Sequence, residues 1–334
     1  MSPYHGMSVF VTGAGGFIGS HLCERLLAAG AHVTAFLRYS STTSKGWLAQ
    51  VDDHYPNLDL VWGDIRDGQT VLSLMPPDTD LVFHLAALGA IPHSGQAWRS
   101  YLDTNCHGLL NVLTAGAVHH VGRYVATSTS EVYGTPQQVP ITELHRMHPQ
   151  SLYAATKEAA DALALSLARG LDYPVAILRP FNAYGPRQSM RAVLPTLLAQ
   201  ALWSDEIRVG NLAPTRDWTY VADLVDAFLA MGIAQEERVL GKVTQVGTGQ
   251  EHSVEQALHL VQRITGTDKP VVAQDNRARA QGHEVERLVC DDTSARLRLD
   301  WKATTTLEEG LVRTMTWMEA NPVMYRNRAE EYHR

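Results

Sequence analysis

Cysteine is scarce in this chain of 334 residues. The three that occur, Cys23, Cys106 and Cys290, lie far apart, in no metal-ligand spacing and each among helix or strand formers. That excludes a disulfide-stapled scaffold and a thiolate metal centre, and predicts buried free thiols in a reducing compartment. Cationic excess is also missing: 28 Lys and Arg stand against 35 Asp and Glu, a net charge of −7, with no basic stripe or arm. A phosphate-backbone binder is therefore excluded, and no nucleic-acid partner is expected. No uninterrupted apolar run approaches the roughly 20 residues that cross a bilayer, and the first residues show no basic stretch leading into an apolar one. A soluble cytoplasmic protein with no membrane partner is the expectation. His84, His93, His107, His119 and His120 do not converge in sequence with carboxylates or cysteines, so structural or solvated histidines and no metal site are expected. What is present is 45% hydrophobic side chains, enough in a chain of this length to bury a sizeable core.

Short apolar, β-rich runs recur at residues 7–12, 33–37, 58–62, 81–85, 124–128 and 175–178, with helix-like stretches between most of them. Alternating strands and helices imply an α/β fold with a doubly wound, parallel, Rossmann-type sheet. The rhythm changes after Pro180, where Pro, Asn, Gly and Arg crowd together, and a further strand is predicted at residues 242–246. The expected organisation is a dinucleotide-binding domain of residues 1–180 plus about 236–265. A smaller, mixed C-terminal substrate lobe would take about 181–235 and 270–334.

Gly13, Gly16 and Gly19 follow the first strand and open the first helix, predicted at 17–29. The first allows a tight turn, the second lets the backbone approach a pyrophosphate, and the third allows close packing of helix on strand. The phosphates would lie at the positive helix end. The second strand ends in Leu37 and Arg38 with no carboxylate to hold the ribose hydroxyls of NAD. Arg38 could instead pair with the 2′-phosphate of NADP, so both cofactors stay open. Asp64, at the end of the third strand, is placed to touch the adenine.

Tyr153 and Lys157 are four residues apart, on one face of a predicted helix. There the ammonium can lower a phenol that ordinarily ionises near pH 10, making it a usable base. The strand over 124–128 runs into Thr129, Ser130, Glu131, Val132, Tyr133 and Gly134, and ligands in such sheets lie just beyond the strand ends.

With these motifs the chain resembles the extended short-chain dehydrogenase/reductase superfamily, specifically its nucleotide-sugar epimerases and dehydratases. The residues that carry the likeness are the glycine triplet, Leu85–Ala86–Ala87, the 128–134 segment, Tyr153 with Lys157, Arg179 to Arg187, and Arg216 to Val221. Residues 185–189, 191–193, 214–217 and 284–288 look like the NAD-dependent 4,6-dehydratases of UDP-N-acetylglucosamine-type substrates in legionaminic-acid and related pathways. The resemblance implies cofactor contacts at Gly13, Gly16, Phe17, Ile18, Gly19, Arg38, Asp64, Ile65, Leu85, Ala86, Ala87, Asn105, Thr127 and Pro180, besides Tyr153 and Lys157. It implies Thr129, Ser130 and Glu131 as further catalytic residues, and Asn182, Arg187, Arg216 and Arg279 as contacts to the nucleotide diphosphate.

In that scheme Tyr153 takes the proton of the sugar O4 hydroxyl, Thr129 holds the same oxygen, and Glu131 removes the C5 proton so that the C6 hydroxyl leaves as water. In dTDP-glucose dehydratases an Asp precedes this Glu, whereas this chain has Ser130, as do GDP-mannose 4,6-dehydratases and UDP-glucuronate decarboxylases. The alternatives are a decarboxylase, a C4 epimerase, or a noncatalytic nucleotide-binding protein. The helix after Tyr153 is apolar on more than one face, which with the resemblance implies a homodimer through a helix bundle.

Overall fold

The structure, a computed structural model, describes residues 2–51, 54–274 and 284–329; Arg279 lies outside them. Seven parallel strands form the main sheet: β1 (Ser8–Thr12), β2 (His32–Arg38), β3 (Leu58–Gly63), β4 (Leu81–His84), β5 (Arg123–Thr127), β6 (Val175–Pro180) and β7 (Val243–Val246). Their order is β7-β6-β5-β4-β1-β2-β3. β1 pairs with β2 from Ser8 opposite His32 and with β4 from Val9 opposite Leu81, so the chain reverses its direction of travel across the sheet between β1 and β4.

The strands read as short apolar runs because both faces are covered. Val9 and Val11 point into a core that also holds Leu22, Leu26, Phe83 and Phe228. Phe10, between them, points into a second core with Phe36, Val82 and Leu113. The period of two along one strand thus divides its side chains between two cores. Each fully buried Leu or Phe contributes about 1.5–3 kcal/mol. The helices that cover the faces or supply the site include α1 (Phe17–Ala28), α2 (Gly108–Val118), α3 (Leu152–Leu171), α4 (Val193–Trp203) and α5 (Val221–Ile233).

Beyond β6 the chain adds three small sheets. Asn182–Tyr184 pairs in parallel with Trp218–Tyr220. Thr215–Arg216 lies between antiparallel His252–Ser253 and parallel Arg287–Leu288, and Ile207–Val209 pairs with Val271–Ala273. Among the described residues no helix is long and apolar enough to cross a membrane.

Candidate active site

A groove of about 1520 Å³ runs across the carboxyl ends of the strands, where the loops that leave the paired β1 and β4 diverge. Its floor is the glycine turn. Gly13 has φ +70°, and a Cβ there would lie 2.8 Å from the Ala86 backbone nitrogen. A Cβ at Gly19 would overlap the Gly13 carbonyl oxygen, so helix and turn touch only because both are glycine. α1 begins at Gly16 with no side-chain cap and no acidic residue in its first turn, leaving its positive end for an anion.

The structure brings most of the predicted residues to this groove. Gly13, Gly16, Phe17, Ile18, Gly19, Arg38, Asp64, Ile65, Leu85, Ala86, Ala87, Thr127, Thr129, Glu131, Tyr153, Lys157, Pro180, Asn182 and Arg216 all line it. Three do not. Asn105 sits in a π-helical turn, where its amide donates to the Leu88 carbonyl at 3.1 Å and to Thr156 Oγ1 at 3.0 Å and accepts from the Leu88 N–H at 2.9 Å. It ties the loop after β4 to α3 instead of facing the groove. Ser130 is buried in the short 3-10 helix Ser130–Tyr133, whose tight turn aims it away while Glu131 faces inward. Arg187 has φ +70°, which turns its guanidinium back onto α1. There it donates to both Glu24 carboxylate oxygens at 2.9 Å and to Ser20 Oγ at 3.1 Å.

Ser151 caps α3, accepting from the Ala154 N–H at 3.1 Å, and the first two turns carry Tyr153 and Lys157 on one side. The Tyr153 phenol is pushed up to about 12, first by burial; the Thr129 hydroxyl bonded to it works downward, and Glu131, Asp161 and Tyr101 work upward. The spacing predicts that Lys157 lowers this phenol, but the Lys157 ammonium donates to the Thr127 carbonyl instead. Burial pushes Lys157 below its ordinary value, opposed by Asp161 and Cys106. Glu131 is buried, and among the described residues its carboxylate has no cationic partner.

At one end of the groove Asp64 is forked by Arg66, whose Nε stands 2.9 and 3.0 Å from the two carboxylate oxygens, and this holds the carboxyl below its usual range. Arg66 escaped sequence reasoning, as did Tyr39, Ser40 and Ser44 on the same wall. At the other end Arg216 pairs with Glu284 at 2.9 Å. Gln188 and Arg191 line the wall nearby without having been named as site residues, although both fall in the stretches that carry the likeness to the 4,6-dehydratases.

Thr127 Oγ1, Asn182 Oδ1 and Gln188 Oε1 are buried groove-wall atoms with no hydrogen-bond partner among the described residues. A glycine cradle, a bare helix start and orphaned polar atoms together fit a dinucleotide lying beside a second polar ligand. A hydrogen-bonded phenol, a buried lysine and a buried carboxylate at their junction can move protons to and from a hydroxyl and an adjacent carbon.

The family model for GDP-mannose 4,6 dehydratase matches residues 10–315. A dTDP-glucose 4,6-dehydratase of Streptomyces antibioticus is 32% identical over 324 residues, 94% of this chain and 93% of that protein. A UDP-N-acetyl-alpha-D-glucosaminuronate decarboxylase of Bacillus cytotoxicus is 30% identical over 319 residues, 92% of this chain and 96% of that protein. Among solved structures, the dTDP-glucose 4,6-dehydratase DesIV of Streptomyces venezuelae, with NAD and TYD bound, matches with a TM-score of 0.86 at 26% identity. The match covers 96% of this chain and 99% of that one. With that match across nearly its whole length, the chain belongs to the GDP-mannose 4,6 dehydratase family, among the NAD-dependent epimerases and dehydratases of the extended short-chain dehydrogenase/reductase superfamily.

Proposed function

We propose that this protein is a nucleotide-sugar 4,6-dehydratase that converts UDP-N-acetylglucosamine to its 4-keto-6-deoxy derivative. The observation that carries the reading is Glu131, a buried carboxylate on the groove wall beside Tyr153. A bound nicotinamide supplies an acceptor for the C4 hydride and a donor that returns it to C6.

The chain's own residues do the rest. Tyr153 takes the O4 proton, and the Thr129 hydroxyl holds that oxygen and steadies the phenolate. The C4 ketone acidifies the C5 proton, which Glu131 removes. The same carboxyl, now protonated, gives the proton to the departing C6 hydroxyl, so the net change in that half of the reaction is loss of water; when C6 is reduced, C5 takes a proton back, and the balance is the proton that Tyr153 took from O4. One residue must serve as both base and acid because Ser130 faces away from the groove. The Asn182 amide N–H and Arg216 hold the nucleotide diphosphate, and the orphaned Asn182 carbonyl oxygen is left to accept from a ligand hydroxyl. Arg279 is a further candidate for that contact on sequence grounds alone.

The dinucleotide is NAD or NADP. Arg38, Ser40 and Ser44 give the adenosine end hydrogen-bond donors and β2 gives it no carboxylate, a wall that accepts a ribose diol or a 2′-phosphate. Trp98 and Leu102, exposed beside α3, form the face we assign to pairing with a second copy.

The second reading is a uronate decarboxylase, favoured by the same absence of an acid at Ser130, since loss of CO₂ from C5 needs none. An epimerase would use Tyr153 and Thr129 and leave Glu131 idle. The deciding experiment incubates the purified protein separately with UDP-N-acetylglucosamine, UDP-glucuronate, GDP-mannose and dTDP-glucose and reads product mass. Loss of one water from UDP-N-acetylglucosamine is the expected result. Loss of CO₂ from the uronate, or unchanged mass with inverted C4, would replace the reading.

A further inference from the structure

Behind the reactive residues lies a buried ionic network that none of the steps above uses. Asp161 is one turn beyond Lys157 on α3, and its Oδ2 accepts from Ser128 Oγ and from Arg179 Nη2, the latter at 2.8 Å. Arg179 Nε donates to Ser128 Oγ at 3.2 Å, and its Nη1 to the Tyr133 hydroxyl at 2.6 Å. The Tyr133 hydroxyl in turn donates to Gln245 Oε1 at 3.0 Å, on β7. Asp161, Arg179, Ser128 and Gln245 are all at most 4% exposed.

Ser128 immediately precedes Thr129, and Tyr133 is two residues past Glu131. The network therefore grips both ends of the six residues that carry two of the reactive side chains. Stability alone is a weak reason to keep such a pair, because apolar replacements of buried ion pairs are often neutral or stabilising.

We infer that Asp161 is a positioning residue: with Arg179 it fixes the 128–133 segment, and its buried carboxylate, one helical turn from Lys157 on the same helix, helps Tyr153 and Lys157 each to keep a proton. Its relevance to turnover rests on the reading that Tyr153 and Lys157 are the reactive pair. The charges facing the two are accounted for. Tyr153 meets Glu131 from the 3-10 turn, Tyr101 from the helix before α2 and Asp161 from its own helix. Lys157 meets Cys106 from the π-helical turn, Asp161 from its own helix, and His84 from β4. Arg179 and Tyr133 face Asp161 from β6 and the 3-10 turn. Removing a negative charge from this set makes both groups give up their protons at lower pH.

The test follows the phenol directly. Ring-labelled ¹³C-tyrosine spectra of the NAD-saturated protein are recorded against pH, the Tyr153 signal among 12 tyrosines being the one missing in Tyr153→Phe. In Asp161→Asn its midpoint falls by at least about half a unit. The pair variant Asp161→Asn with Arg179→Met leaves no unpaired buried ion, which covers failure of the single variant to fold; because the lost cation acts in the opposite sense from farther away, across Asp161, its midpoint falls in the same direction but by less. Ser128→Ala removes a hydroxyl and no charge; its midpoint stays, while kcat falls about tenfold or more with KM little changed. A midpoint shared by wild type and the Asp161 variants, or a phenol protonated in all of them to the alkaline limit of the fold, overturns the electrostatic role. Wild-type kcat in Ser128→Ala overturns the positioning role. A displaced midpoint in a protein that turns over no nucleotide sugar removes the proposed reaction and leaves the effect of Asp161 standing.

Discussion

Arg187 closes a two-pronged bond on Glu24, 2.9 Å from each guanidinium nitrogen to a carboxylate oxygen, joining the turn after Tyr184 to α1. An arginine with φ +70° costs about 1–2 kcal/mol of backbone strain, so the bond must outweigh it. Arg187→Ala should destabilise the fold by about 2–3 kcal/mol, and Glu24→Gln by about 1–2 because that carboxylate is partly hydrated. A double-mutant cycle in urea should show coupling of about 1 kcal/mol or more. Affinity for a nucleoside diphosphate should change little in either variant. A tenfold loss of that affinity in Arg187→Ala would restore the substrate contact that the motif alone implied.

Tyr153 and Glu131 act at different carbons in the proposed reaction, so their variants should stop it at different stages. Tyr153→Phe should lower kcat by about 10²–10⁴ with substrate binding retained, since only a proton acceptor is removed. Glu131→Gln should still oxidise C4 but form the dehydrated product at least about 10²-fold more slowly. Borodeuteride trapping followed by mass spectrometry would then recover a hexose labelled at C4 with its C6 oxygen intact. Equal loss of C4 oxidation in both variants would argue that Glu131 merely supports Tyr153.

The strands were legible because most are local apolar runs covered on both faces, and the observed ends, such as His32–Arg38 against 33–37 expected, differ by no more than two residues. Glycine spacing was legible for a similar reason: it encodes close backbone approaches that side chains forbid. Side-chain direction past a strand end was not. Thr129, Ser130 and Glu131 are consecutive, but a 3-10 turn sends the middle one inward to protein and its neighbours to the groove. Asn105 and Arg187 are turned off the groove by a π-helical turn and a left-handed residue, backbone choices that nearby residues specify only weakly. Arg66 reached Asp64 by a contact two residues along a loop, which carries no periodicity to detect.

Arg38 gives the cofactor preference a handle. Arg38 lines the end of the groove that the proposed reading gives to the adenosine, and β2 carries no acid to compete for a ribose. Arg38→Asp should weaken NADP binding at least about tenfold by replacing a phosphate partner with a repelling charge, and leave NAD unchanged or tighter. Dissociation constants from fluorescence or calorimetry decide this. Equal losses for both dinucleotides would mean that Arg38 acts on packing and not on the ribose.

His84 makes stability depend on acid. Its ring is buried at the end of β4, with Nδ1 2.9 Å from Thr12 Oγ1, whose oxygen also accepts from the Ala86 N–H at 3.2 Å. Burial first, and Lys157 second, push the imidazole down from 6.5 to about 3. The unfolded chain takes up this proton below its ordinary value while the folded one refuses it, so stability is full above about pH 6.5 and declines as pH falls toward 3. At pH 5 the loss from this group is on the order of 2 kcal/mol. His84→Gln keeps a polar group beside Thr12 and has no proton to gain, so its urea midpoint should fall less between pH 7 and pH 5 than that of wild type. If the two lose stability in parallel over that range, the acid sensitivity belongs to other groups and the His84 ring is accessible to protons in the fold.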